Sequence, residues 1–140
     1  MLIGAHVSTS GGPSKAIGRG ENISAECVQI FASSPRAWKS LPIPDYESNL
    51  FKSEIERAAF GPTVLHGKYL CALGSSDSSL VERSIDALVK DLQASETLGA
   101  LGVIFHPASH RGQGYESIFS QFVDCVLKIL ELAPGNSLLM

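Results

Sequence analysis

"VIFHPASH", residues 103–110, is an apolar run that ends on a histidine, breaks at a proline and meets a second histidine four positions after the first. Val103, Ile104 and Phe105 are β-branched or aromatic, the side chains that suit a strand. Pro107 ends regular structure, because proline lacks an N–H and restricts the residue before it. The segment "LGVIFH" (101–106) therefore reads as a buried strand whose C-terminal end delivers His106 to a loop.

The same unit recurs upstream. "LIGAHV" (2–7), "CVQIFA" (27–32) and "TVLHG" (63–67) read as three earlier strands. Longer amphipathic runs separate them. "PSKAIGRG" (13–20) follows a Gly-Gly turn and reads as a short helix opened by Pro13. "DYESNLFKSEIERAAFG" (45–61) reads as a helix capped by Asp45 and ended by Gly61, with Leu50, Phe51, Ile55 and Ala58 on one face. "SLVERSIDALVKDLQASETLG" (79–99) has the strongest helical pattern. Ser79 and Glu82 form a capping box there, and Val81, Ile85, Leu88, Val89 and Leu92 make the apolar stripe. "YESIFSQFVDCVLKILELAPG" (115–135) is a fourth helix, ended by Pro134 and Gly135, and "SLLM" (137–140) reads as the start of a fifth strand.

A β-α-β-α order implies parallel strands joined by right-handed crossovers. Apolar strands without strict alternation fit a sheet covered on both faces. A doubly wound sheet and a (β/α)8 barrel compete. "GGPSKAIGRG" lacks the G-x-G-x-x-G spacing of a dinucleotide site, which weakens the doubly wound reading. A barrel needs eight units, typically about 250 residues. The expectation is a TIM-barrel type of α/β fold, of which this chain holds the first four βα units and the start of strand five.

Composition bounds the function. The chain has 140 residues, 44% hydrophobic and 18% charged, enough to bury a core. No apolar run reaches the roughly 20 residues of a membrane span, so no membrane partner is expected. "MLIGAHVSTS" has neither a basic leader nor a small-residue cleavage site. Cys27, Cys71 and Cys125 are isolated and odd in number, which fits a reducing cytoplasm. The net charge of -3 excludes a polycation that binds nucleic acid along its whole surface.

His6, His66 and His106 fall at or near the C-terminal ends of the first, third and fourth strands. In a parallel α/β fold those ends share one face, where sites form. A lone buried imidazole is commonly satisfied by a backbone hydrogen bond, but three at equivalent strand ends point to one region. Imidazoles converging without cysteine suit zinc, manganese or iron, with carboxylates completing the shell. No Asp or Glu sits at a strand end; Glu47, Glu54, Glu82, Asp86, Asp91 and Glu116 fall on helices and read as solvated faces. His110 follows the break at Pro107 and can support a site from behind its ligands.

The loop "FASSPRAWKSLPIP" (31–44) sets Arg36, Trp38 and Lys39 beyond a strand end, and "HGKYLCALG" (66–74) sets Lys68, Tyr69 and Leu70 beside His66. Arginine reads phosphates. With Lys39, Lys68 and Arg111, Arg36 forms a candidate basic rim, and Tyr69 with Leu70 makes an aromatic-aliphatic pair suited to wedging a base stack. Trp38 reads better as a packing residue of the rim.

Four motifs in register, "IGAHVSTSGG" (3–12), "FASSPRAW" (31–38), "LHGKYL" (65–70) and "FHPASH" (105–110), resemble the endonuclease IV family, zinc-dependent apurinic/apyrimidinic (AP) endonucleases with a TIM-barrel fold. The resemblance spans residues 2–140. It implies a trinuclear zinc cluster that hydrolyses the phosphodiester 5′ to an abasic site in double-stranded DNA, with the damaged nucleotide turned out of the stack. By motif, His66 and His106 resemble zinc ligands, and Arg36, Tyr69 and Leu70 resemble residues that enter the DNA at the lesion. His6 and His110 match family histidines near the site. Lys68 and Ala72 depart from the pattern, where a small or acidic residue and an asparagine are expected. The resemblance places the next ligand, a glutamate, just past the fifth strand, with further Asp, His and Glu after it. Residues 1–140 are thus expected to be the N-terminal part of a single barrel domain, inactive alone and, with two open sheet edges, prone to self-association. A sugar isomerase or epimerase of the xylose isomerase-like group is the alternative enzyme, and a metal-binding half-barrel without catalysis is the alternative that is no enzyme.

Overall fold

Strands and helices alternate through the chain in the computed structural model, which describes residues 1–107, 112 and 114–140. The order is β1 (Gly4–His6), α1 (Lys15–Glu21), β2 (Cys27–Ile30), α2 (Asp45–Ala58), β3 (Val64–His66), α3 (Ser78–Leu98), β4 (Gly102–Ile104), α4 (Tyr115–Leu132) and β5 (Leu138–Leu139). The strands form one parallel sheet in the order β1-β2-β3-β4-β5. A doubly wound sheet reverses strand order at a switch point. Here no reversal occurs, and the half-barrel expectation holds.

The register shows how one face is buried. Ile30 pairs with Leu65, Leu65 with Val103, and Val103 with Leu139. Val28, Ile30, Leu65 and Val103 are all nearly inaccessible and pack with Ile17, Phe51, Leu88 and Leu92 of the helices. Side chains alternate along a strand, so Gln29, Val64, His66 and Ile104 point the other way, and these are only partly covered or exposed. The expected sheet covered on both faces is corrected: helices cover one face, and the second face, which becomes the interior of a closed barrel, is open here.

Helix boundaries follow the sequence, but the caps do not. Asp77, not Ser79, caps α3: its carboxylate accepts from the Ser79 N–H at 2.9 Å and the Leu80 N–H at 3.3 Å. The Ser79 hydroxyl donates to the same oxygen at 2.9 Å, so it is spent on the aspartate rather than on a capping box with Glu82. An ionised carboxylate is the stronger acceptor for orphan N–H groups. In α2, Pro44 occupies the cap position and Asp45 is the first helical residue. That helix ends on Ala59 in the left-handed region (φ 50°), whose N–H donates to the Glu56 carbonyl at 3.2 Å. Gly61, expected as the stop, instead donates its N–H to the Glu26 carbonyl at 2.7 Å. Leu50, expected on the buried face of α2, is 42% exposed while Phe51 beside it is fully buried.

Two helix acids are not solvated. Glu47 is buried, and it accepts from the Ser14 N–H at 2.8 Å, joining the start of α1 to α2. Gly12 (φ 119°) lies against this carboxylate, where a Cβ has no room. Asp91 on α3 is only 3% exposed. Both lie where their own helix packs on its neighbours, so position on a helix alone did not decide exposure.

Candidate functional site

His6 and His66 end β1 and β3, and His106 follows β4 by two residues. The parallel sheet brings all three to one edge. The rings of His6 and His66 lie 5.8 Å apart and those of His66 and His106 5.3 Å apart. Phe31, just past β2, fits between the first pair, 4.5 Å from His6 and 5.1 Å from His66. Tyr69 packs edge-on against His66 at 5.2 Å and Phe31 at 5.3 Å, and approaches His106 at 6.4 Å.

The protons on these rings are partly assigned by their partners. His66 Nδ1 lies 2.6 Å from the Gly67 carbonyl oxygen. A carbonyl only accepts, so Nδ1 carries the hydrogen and the Nε2 lone pair is left free. His6 is held below its usual 6.5, first by burial against its neighbours and then by His66, with a hydrogen bond to the Gln29 side chain opposing both. A neutral imidazole is the ligand form.

The imidazole spacing fits a metal. Two histidines bound at about 2.0–2.1 Å to one tetrahedral zinc place their ring centres about 5 Å apart. The observed 5.3 Å between His66 and His106 matches this. The carboxylates do not follow: among the described residues no three His, Cys, Asp or Glu side chains come close enough together to hold a metal. Two imidazoles thus stand at a spacing that suits zinc ligation, which is also the ring spacing of His66 with Tyr69 (5.2 Å), and the described residues bring no third ligand to them.

Arg36 is exposed, Tyr69 is 53% exposed, and Leu70 is partly buried. The loop bearing Arg36 and the turn bearing Tyr69 touch, because the Tyr69 N–H donates to the Pro35 carbonyl at 3.2 Å. Trp38 packs on α3, with the Arg83 guanidinium 5.1 Å from its ring centre, as expected of a rim packing residue. A depression of about 550 Å3 opens beside His6 and Phe31, lined also by Thr9, Ser33 and Pro35. Lys68 is a correction. It is 4% exposed and lies under the rim rather than on it. Its ammonium donates to the Ser33 hydroxyl and, at 3.4 Å, to the Ser34 carbonyl. Arg36 and Lys39 remain as exposed rim cations. His110 and Arg111 lie outside the described residues.

Sequence reasoning missed Phe31, Gln29 and Asp91. Gln29 had a signal, as the lone polar residue on the alternate face of an apolar strand. Asp91 had one too, since it falls on the same helical stripe as Leu88 and Leu92.

A parallel sheet in sequential strand order, with a helix between successive strands, defines a (β/α) barrel type of fold. Residues 19–138 match the family described as "Xylose isomerase-like TIM barrel", and the chain belongs to that family. Within it the chain is similar to endonuclease 4 proteins. It is 35% identical over 138 residues to the probable endonuclease 4 of Chloroflexus aurantiacus, covering 98% of this chain and 48% of that protein. It is 37% identical over 118 residues to that of Petrotoga mobilis, covering 83% and 41%. The crystal structure of endonuclease IV from Thermus thermophilus superposes with a TM-score of 0.88 at 29% identity, covering 100% of this chain and 51% of that one. A D-psicose 3-epimerase shares the fold alone, with a TM-score of 0.70 at 12% identity over 99% of this chain and 51% of that one. The chain spans about half the length of the curated relatives it matches. Among the described residues no helix is long and apolar enough to cross a membrane.

Proposed function

We propose that residues 1–140 form the N-terminal part of a single TIM-barrel AP endonuclease domain, a cytoplasmic DNA-repair hydrolase that cuts the phosphodiester 5′ to abasic sites in duplex DNA with a zinc cluster. The observation that carries this reading is the convergence of His6, His66 and His106 on one sheet edge, in a chain whose relatives are endonuclease 4 proteins. Three free cysteines support a reducing compartment.

In this reading His66 and His106 would hold zinc, His66 through the Nε2 that its Gly67 bond leaves free. Zinc supplies Lewis-acid chemistry to a phosphodiester. His6, neutral at pH 7 and braced by Gln29, supports the site from the side. His110 is assigned the same supporting role. Phe31 and Tyr69 pack against the imidazoles and hold their spacing. Arg36 pairs with a backbone phosphate, and Tyr69 with Leu70 fills the gap in the base stack. Turning a nucleotide out costs least where its base is already gone.

Residues 1–140 alone lack the acidic ligands and do not cut. Their open flank has a second consequence. Among the described residues, β1 and β5 are unpaired on their outer sides, and α4 exposes Phe119, Val123, Leu127 and Leu130 on one stripe. In solution that flank is covered by a second copy of the same chain.

The test is a duplex carrying one abasic analogue, offered with zinc to residues 1–140. The reading expects tighter binding to this duplex than to the intact one, and no nick in either. Equal affinity for both duplexes overturns the DNA reading. Zinc-dependent nicking overturns the assignment of an incomplete site.

A further inference from the structure

We propose that Lys68 is a positioning residue that locks two loops of the rim together. It ties the loop carrying Arg36 to the turn carrying Tyr69 and Leu70, so that both present their side chains as one unit.

A lysine ammonium is rarely buried without specific partners. Lys68 is 4% exposed and finds them across the chain: the Ser33 hydroxyl and the Ser34 carbonyl, both at the start of the loop after β2, with the Asp91 carboxylate of α3 as the nearby counter-charge. A second bond runs the same way, from the Tyr69 N–H to the Pro35 carbonyl at 3.2 Å. The turn is fixed on its other side by α3. The Ser84 hydroxyl, fully buried, accepts from the Ala72 N–H at 2.9 Å and donates to the Leu80 carbonyl at 2.7 Å. The turn is thus anchored to a helix, and Lys68 extends that anchorage to the neighbouring loop. Arg36 lies one residue beyond Pro35 and Tyr69 one beyond Lys68. Neither of these two exposed side chains needs to touch the other for their spacing to be set.

The link to DNA rests on the reading above, but the tether itself does not. Trp38, the only tryptophan, reports on the loop from its seat beside Arg83. The experiment compares the parent chain with Lys68→Met, Ser33→Ala and the double variant. It measures amide hydrogen exchange over residues 33–40, with α4 as internal reference, together with acrylamide quenching of Trp38. Loss of a charge-assisted hydrogen bond speeds local exchange about tenfold. The expected result is that acceleration in 33–40 in each single variant, easier quenching of Trp38, no change in α4, and a double variant no faster than Lys68→Met. Exchange at the parent rate in both single variants overturns the tether. Should Lys68→Met not fold, Ser33→Ala decides alone, because Ser33 is a partly exposed loop residue. Affinity for abasic duplex is then measured for the same set. A parent chain that ignores the lesion sinks the DNA reading while the exchange data still judge the tether.

Discussion

The His66 and His106 rings lie 5.3 Å apart at the ends of adjacent parallel strands, where His66 pairs with Ile104 and gives its Nδ1 hydrogen to the Gly67 carbonyl. Register and hydrogen bonding act together here. Pairing of His66 with Ile104 puts the two strand ends level, and the backbone bond turns the free nitrogen of His66 outward from its own main chain.

The rim makes a prediction that separates its two kinds of contact. Arg36→Ala is expected to weaken binding to abasic and intact duplexes alike and to lower the slope of log affinity against log salt by about 1. Tyr69→Ala is expected to weaken binding to the abasic duplex alone, by about tenfold, since it removes a stacking surface. Fluorescence anisotropy over a salt series checks both. A Tyr69 variant that binds both duplexes as the parent does contradicts the wedge.

Asp91 gives a pH prediction. Burial raises its carboxyl from 3.8 to about 6, with the Lys68 ammonium and amide opposing the rise. Between those values the folded chain binds the proton more readily than the unfolded one, so this group's contribution to stability is present below about 4 and lost as pH rises through about 6. Asp91→Asn removes that slope. Its stability relative to the parent is expected to improve from pH 4 to pH 7, by at most about 3 kcal/mol. Urea melts at several pH values measure it, and parallel curves for the two proteins would refute it.

The cap of α3 is testable by comparison. Asp77 accepts both orphan N–H bonds, whereas Glu82 is exposed. Asp77→Ala is expected to lower the melting temperature measurably and Glu82→Ala to leave it nearly unchanged. The reverse order would restore the capping box.

The alternation of strands and helices and the placement of the histidines were legible in the sequence because both are local: short apolar runs, three of them ending at or near a histidine, separated by longer amphipathic ones. The cap of α3 was misread because two good acceptors, Asp77 and Ser79, lie two residues apart, whereas the cap position of α2 falls on Pro44, which has no side-chain acceptor to read. Lys68 and Asp91 were misread for a different reason. Each looks solvated on its own segment, and only the approach of the loop after β2 to α3 buries them. Phe31 was read as part of a strand, and its place between His6 and His66 depends on three strands at once.

The open flank yields a prediction about association. Leu127 is 60% exposed in the middle of the apolar stripe of α4. Sedimentation velocity is expected to show residues 1–140 shifting to larger species with concentration, and Leu127→Glu shifting back toward monomer. A parent chain that stays monomeric throughout the range contradicts the second-copy reading.

The most direct test of the central claim is a zinc titration of residues 1–140 against a chromophoric chelator, repeated for His66→Ala and His106→Ala. The proposed function predicts fewer than three zinc ions per chain, with affinity falling about tenfold or more in each variant. Zinc affinity that survives both substitutions, or three tightly held ions per chain, would contradict it.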